Sequence, residues 1–155
     1  MNIRFEFSED ADEEIVIRCR APSPQTQCIM RALEGVLNTP SAILLLKNGC
    51  EYILPYSEIL YFETAETKVF AHTHTDIFTA PHTLAALEQM LPSPFVRVSK
   101  SCIVNIMHIE RLRRELVGNG EIGFAGCPKC AYFSRSYYRR LYDKIKEMRL
   151  EQYEQ

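Results

Sequence analysis

The chain is poor in the features that mark membrane proteins and most enzymes. Its longest apolar run is the five residues Ala42-Ile43-Leu44-Leu45-Leu46, far short of the ~20 that a membrane-crossing helix needs. Residues 1–10 lack the apolar core of an export signal, so a cytoplasmic location is expected. Glycine is scarce, at six residues in 155, and no glycine-rich phosphate loop, nucleophile elbow or carboxylate pair of defined spacing can be found. These absences argue against an enzyme, and they imply no cofactor and no small-molecule substrate. The aromatic motif on which an RNA-recognition sheet stacks bases is missing as well. There is no overall excess of positive charge, since the formal net charge is −2. The six cysteines, in a reducing compartment, read as thiols rather than disulfides.

What is present is a core-forming chain with an uneven charge distribution. Apolar residues make up 46% of it, enough for one domain with a small appendage. Between Arg97 and Arg149 twelve Lys and Arg face five acids, a local excess of seven, so the remainder carries −9. That asymmetry suggests a basic working face on an acidic body. The sharpest piece is Phe95-Val96-Arg97-Val98-Ser99-Lys100-Ser101-Cys102-Ile103-Val104-Asn105. Its alternation buries one face and offers cations and hydroxyls on the other, the groups that phosphate and base-edge recognition uses. Phe133-Ser134-Arg135-Ser136-Tyr137 repeats the idea just before an amphipathic helix in which Leu141, Ile145 and Met148 share a face.

The pattern predicts a mostly β, α+β protein. Residues 2–7 and Glu14 to Arg20 read as a strand pair, and Ser23 caps a helix that starts at Pro24 and stops near Asn38. Residues 1–39 are thus expected to form a β-β-α appendage, too small for a phosphate-accepting receiver domain. Ile29, Leu33 and Leu37 on its helix suggest self-association. Residues 42–149 form the second expected domain. Its strands are Ala42 to Lys47 and Glu51 to Pro55 around the hairpin dipeptide Asn48-Gly49, then Ile59 to Thr64, Lys68 to Thr73 and a short strand from Ile77. A short helix over Thr83 to Leu91 precedes Phe95 to Val98, Ser101 to Asn105, His108 to Leu112, Leu116 to Val117, Glu121 to Ala125 and Ala131 to Phe133. Gly118-Asn119-Gly120 marks a hairpin turn, and Ser136 is the expected cap of the last helix.

Four pieces in this order resemble the LytTR family of bacterial DNA-binding domains. They are Leu46-Lys47-Asn48-Gly49 followed by Ile53 to Glu63; the short helix before Phe95; Phe95 to Ser101 with Ile103-Val104-Asn105 and Ile109; and Phe133-Ser134-Arg135. The resemblance covers about residues 42 to 147. It implies an elongated antiparallel β fold that binds double-stranded DNA through loops and strand ends, at paired direct-repeat half-sites, as a homodimeric transcription regulator. It also implies roles for particular residues. Arg135 would enter a major groove and fork to guanine, Lys100 would meet the DNA from the Arg-Val-Ser-Lys-Ser motif, and the loop Thr64 to Lys68 would supply a third contact through Lys68 or Thr67. Arg97, Ser99, Ser101, Ser134, Arg139 and Arg140 are further candidates for phosphate contacts. Compact regulators of this type often act with a membrane-protein partner.

Two other readings compete with this one. Cys127-Pro128-Lys129-Cys130 supplies two metal ligands or a redox pair. No second pair appears, so a zinc site would need scattered groups among His72, His74, His82, His108, Cys19, Cys28 and Cys50. The dipeptide Pro128-Lys129 also suits a plain hairpin turn. The other reading is a protein-interaction module that does not bind DNA.

Overall fold

A computed structural model describes residues 15–21, 23–37 and 41–150, and the chain divides into units of residues 1–39 and 40–155. In the first unit, helix α1 spans Pro24–Leu37. Its start is fixed by a reciprocal cap: the Thr26 N–H donates to Ser23 Oγ (3.2 Å), and the Ser23 N–H donates to Thr26 Oγ1 (2.8 Å). Thr26 thereby plays the part that Glu or Gln plays in the usual capping box. Residues 15–20 make no strand, which corrects the expected Glu14 to Arg20 strand. Alternation of apolar residues cannot form a strand without a ladder partner. The partner expected at residues 2–7 lies outside the described residues.

Among its described residues the second unit holds ten strands. They are β1 (Ala42–Lys47), β2 (Cys50–Pro55), β3 (Tyr61–Ala65), β4 (Lys68–His72), β5 (Ile77–Ala80), β6 (Phe95–Ser99), β7 (Cys102–Asn105), β8 (Ile109–Arg114), β9 (Gly120–Phe124) and β10 (Cys130–Phe133). Helix α2 (Leu84–Met90) lies between β5 and β6, and α3 (Arg135–Ile145) follows β10 and widens into a π-turn over Lys146–Leu150. All pairings are antiparallel. One sheet has seven strands in the order β2-β1-β5-β4-β3-β7-β6, and the other has three, β10-β9-β8. Asn48 and Gly49 carry φ of 52° and 77°, the doubly positive geometry that suits a two-residue hairpin.

The seven-stranded sheet is used differently at its two ends. On one face Ile43, Leu45, Phe62, Val69, Ala71, Phe78 and Ile103 pack with Leu84 and Leu87 of α2. On the opposite face of the β3-β7-β6 end, Tyr61, Val96, Val98 and Val104 meet Ile122, Phe124, Ala131 and Phe133 of the small sheet and Leu141 of α3. Every residue of β7 is therefore buried; Cys102 to Val104 are apolar accordingly, and the buried Asn105 side chain donates to the Ile59 carbonyl (3.1 Å). Strand β1 has one open face and alternates accordingly, with Leu44 and its β2 partner Ile53 exposed.

Tyr61 joins the two sheets. Its ring stacks on His72 (centroids 4.2 Å apart) and on Phe124 (5.3 Å). His72 is buried, and its Nε2 lies 2.8 Å from a Glu63 carboxylate oxygen, although neither ring nitrogen has an aligned hydrogen-bond partner. Burial holds the His72 imidazole below its usual range, against the upward pull of Glu63 and with the help of nearby Lys129. No helix among the described residues is long and apolar enough to cross a membrane.

Candidate nucleic-acid interface

Three segments far apart in sequence meet at one edge of the second unit. The first is the turn between β3 and β4, where Thr64 to Lys68 are exposed and Glu66 takes a φ of 55°. The second is the turn at Lys100 between β6 and β7, and the third is the start of α3 at Arg135. Two backbone hydrogen bonds tie them together. The Thr64 N–H donates to the Ser101 carbonyl (2.9 Å), and the Ser134 N–H donates to the Val98 carbonyl (2.9 Å). Between the last two segments runs an open groove of about 350 Å³, lined by Ser99, Ser101, Asn119, Tyr132 and Ser134, with Glu63 and Glu115 also on its wall.

Lys100 is exposed, and it sits in a turn rather than along a strand. A register shift between Arg97 and Ser99 interrupts the ladder, which resumes at the Ser99–Cys102 pair, so the expected in-line series Arg97, Ser99, Ser101 is broken by a bulge. Arg97 is turned inward, its side chain 15% exposed. Its Nε donates to the Ser99 carbonyl (2.7 Å), one Nη to the Lys100 carbonyl, and the other Nη to Glu88 on α2 (3.2 Å). The Ser99 hydroxyl accepts from the Ser101 N–H (3.2 Å), closing the same turn. Arg97 and Ser99 thus shape the Lys100 turn from within, while Lys100 and Ser101 face outward.

The other end of Glu88 reaches α3, where its second oxygen accepts from Arg140 (3.3 Å). Arg139 is 95% exposed and lies 3.9 Å from Asp143, its i+4 neighbour. This pair is a solvated one of little energetic weight. Arg114 stacks over Tyr138, with the guanidinium carbon 4.6 Å from the ring centroid. Lys144 pairs with Glu147 (3.3 Å).

Arg135 is exposed at the first position of α3. The cap is Ser134, not Ser136 as expected, and the Ser134 hydroxyl makes no capping bond. The Arg135 N–H instead donates to the Asn119 side-chain oxygen (3.0 Å) from the turn between β8 and β9. Leu116 and Val117 belong to that turn and are not a strand. Asn119 was legible only as a turn residue, and Glu88 carried no signal, because its partners come from β6 and α3.

The cysteine motif lies at the opposite end of the small sheet, with Cys127 in the connection from β9 to β10 and Cys130 opening β10. Cys127 Sγ approaches the His74 carbonyl (3.8 Å), and Cys130 Sγ lies 3.5 Å from the Tyr132 hydroxyl. The His74 and His108 rings meet edge to face at 5.5 Å, and their Nε2 atoms face the carbonyls of Ala125 (3.2 Å) and Ser57 (2.6 Å). Among the described residues, no three His, Cys, Asp or Glu side chains converge as metal ligands. Burial pushes the Cys102 thiol up to about 12, which leaves it protonated and unreactive.

Comparison with known proteins supplies the family and agrees with the fold. The LytTr DNA-binding domain family matches residues 50–146. An uncharacterized HTH-type transcriptional regulator of Staphylococcus aureus is 33% identical over 95 residues, 61% of this chain and 63% of its own length. Another, from a second strain, is 38% identical over 64 residues, 41% of this chain and 44% of its own length. The chain thus matches less than two thirds of these relatives. The fold is that of the LytTr DNA-binding domain of a Bacillus cereus protein described as a methyl-accepting/DNA response regulator, with a TM-score of 0.63 at 21% identity over 68% of this chain and 97% of that one.

Proposed function

Because the chain belongs to the LytTR family of DNA-binding domains, we propose that it is a cytoplasmic transcription regulator that reads duplex DNA through the edge at which Lys68, Lys100 and Arg135 meet. The observation that carries this reading is the convergence of three loop segments, held by the Thr64–Ser101 and Ser134–Val98 backbone bonds. A duplex laid on that edge meets an exposed cation from each segment, while the acids of the groove stay on its wall. Arg135 supplies the fork that fits guanine O6 and N7. Lys100 and Lys68 are point charges suited to phosphate. Ser101, Ser134 and the exposed Arg139 can add phosphate contacts. Arg97, Ser99 and Arg140 act differently, since their polar groups are committed to the turn and to Glu88. The regulator works as a homodimer on direct-repeat half-sites, with α1 of the first unit as the self-association element. A membrane-protein partner would supply its signal. The Staphylococcus aureus relatives, which are named as HTH-type transcriptional regulators, support the regulatory role.

The test is fluorescence anisotropy of the whole chain with duplex from its own promoter and with a scrambled duplex, at two salt concentrations. Arg135→Ala is expected to lower the preference for the native duplex by about ten- to a hundredfold, the worth of a bidentate base contact. Lys100→Ala is expected to weaken both duplexes alike and to flatten the log-log salt dependence by about one unit. Equal binding of both duplexes by the unaltered chain would leave a basic surface without sequence reading. No binding at either salt would favour a protein-interaction module.

A further inference from the structure

The turn between β8 and β9 does more than reverse the chain. We infer that Gly118-Asn119-Gly120 is a positioning element that sets how Arg135 meets the duplex, and so tunes sequence preference. The inference rests on the reading of Arg135 as the residue that contacts bases.

Each residue of the tripeptide holds a different part of the segment that carries Arg135. Gly118 has a φ of 91°, and a Cβ there would fall 2.7 Å from Arg135 Cδ and 3.0 Å from Cγ. The aliphatic stem of Arg135 therefore lies directly on the glycine. Asn119 accepts the Arg135 N–H at 3.0 Å, one of the four amides that a helix leaves without an internal partner. Gly120 sits under Phe133, since a Cβ there would lie 2.3 Å from the ring and 2.3 Å from the Arg113 carbonyl oxygen. The turn itself is closed by the Glu115 N–H to Asn119 carbonyl bond (2.8 Å) and the Gly118 N–H to Glu115 carbonyl bond (3.0 Å).

The consequence follows from entropy and aim. An exposed arginine samples many rotamers, and ordering it on binding weakens the contact. A stem seated on Gly118 has fewer rotamers to lose. Its starting point is fixed twice, at its own amide by Asn119 and two residues earlier by the packing of Phe133. Ser134 cannot do this work, as its hydroxyl makes no cap. A bidentate contact is sensitive to small errors of placement, so loosening this seat should blur base discrimination more than it weakens contact with phosphate.

The experiment uses the whole chain, the native and scrambled duplexes, and thermal melting. Asn119→Ala is expected to reduce the native-to-scrambled affinity ratio by about five- to tenfold, with affinity for the scrambled duplex within about twofold of the unaltered chain. Asn119→Asp keeps the acceptor oxygen and should restore the ratio, its added charge affecting both duplexes equally. In an Arg135→Ala background, Asn119→Ala should change the ratio no further. Leu116→Ser, at the fully exposed tip of the same turn, should leave the ratio unchanged. If Arg135→Ala collapses the ratio and Asn119→Ala does not, the positioning role is wrong while the base-reading role of Arg135 stands. If Arg135→Ala itself leaves the ratio intact, both fall. A loss in Leu116→Ser as large as that in Asn119→Ala would mean that the turn touches DNA directly, which also overturns the inference.

Discussion

The Lys100 turn and the first turn of α3 flank one groove, yet different forces hold them. The Lys100 turn is held by charge. Arg97 places a guanidinium behind it, bonded to the Ser99 and Lys100 carbonyls and paired with Glu88. The α3 start is held by shape, through Gly118, and by two neutral hydrogen bonds, from Arg135 N–H to Asn119 and from Ser134 N–H to the Val98 carbonyl. A charged clamp suits a residue whose partner is phosphate, where small displacements change little. A steric seat suits a residue whose partner is a base edge, where direction decides the outcome. The contrast predicts that the Lys100 side governs affinity and salt response, and the Arg135 side governs sequence preference.

Removing the clamp should break the comparison most severely. Arg97→Met keeps the stem and deletes the guanidinium donors that order the turn. It leaves two carbonyls without their charged partner and Glu88 with one arginine instead of two. Hydrogen bonds to charged groups are worth about 1.5–3 kcal/mol each, less where water can replace the partner. The expected loss of folding stability is about 2 kcal/mol, with affinity for both duplexes reduced about tenfold and their ratio nearly kept. Denaturant unfolding and anisotropy check the two parts. A collapse of the ratio at unchanged scrambled-duplex affinity would erase the division between the two sides.

A smaller effect should act on both sides alike, because it arises beneath them. The buried His72 stacks on Tyr61, and Tyr61 bridges β3 to the small sheet whose strand β10 leads into Arg135. Its folded-state pKa is lowered from 6.5, with desolvation as the main cause. The neutral ring is therefore favoured in the folded state, and the unfolded chain binds the proton more readily. Stability from this group is fully present above pH 6.5 and is lost as pH falls through the folded value, at no more than about 1.4 kcal/mol per pH unit. Melting temperature should fall on mild acidification, and His72→Phe, which keeps the stack, should remove that part of the slope. The native-to-scrambled ratio should stay level while the fold persists. A ratio that changes with pH before the melting temperature does would show that the two sides do not share this support.

Much of this arrangement was legible in the sequence, and the rest failed for identifiable reasons. Asn48-Gly49 announced a tight hairpin, and Ser101 to Asn105 read as a strand, although its alternation suggested one open face and the fold covers both. Lys100 and Arg135 stood out because local motifs carry them and Lys68 because the resemblance pointed to its loop, and all three are exposed. Besides the strands expected at Glu14 to Arg20 and Leu116 to Val117, three details around the interface were not foreseen. Alternation placed Arg97 on the outer face with Ser99 and Ser101, but a bulge after Arg97 is not written in a period-two pattern. Ser134 and Ser136 both flank Arg135 and are equally good caps by type. The choice fell to Ser134, whose N–H is held by Val98. Asn119 looked like an ordinary turn residue, since its partner is sixteen positions away and no spacing rule links a hairpin turn to a distant helix start. Local chemistry was readable, while contacts made only by the assembled fold were not.

The smallest expected effect tests whether the two sides communicate at all. Glu88 accepts from Arg97 on the Lys100 side and from Arg140 on α3, at 3.2 and 3.3 Å. It is the described carboxylate that touches both. Its side chain is one-third exposed and Arg140 is 62% exposed, so water and salt screen much of the interaction. Exposed pairs of this kind contribute about 0–1 kcal/mol. Glu88→Gln keeps the size and one acceptor and removes the charge. It should lower stability by less than about 1 kcal/mol at low salt and by nothing measurable at high salt, where screening shortens the reach of charge to a few ångström. In binding, it should weaken both duplexes slightly and leave their ratio alone if the two sides are independent. A loss of ratio at low salt that disappears at high salt would instead mean that Glu88 transmits strain from the charged side to the seated one. The division of labour would then hold only at high ionic strength.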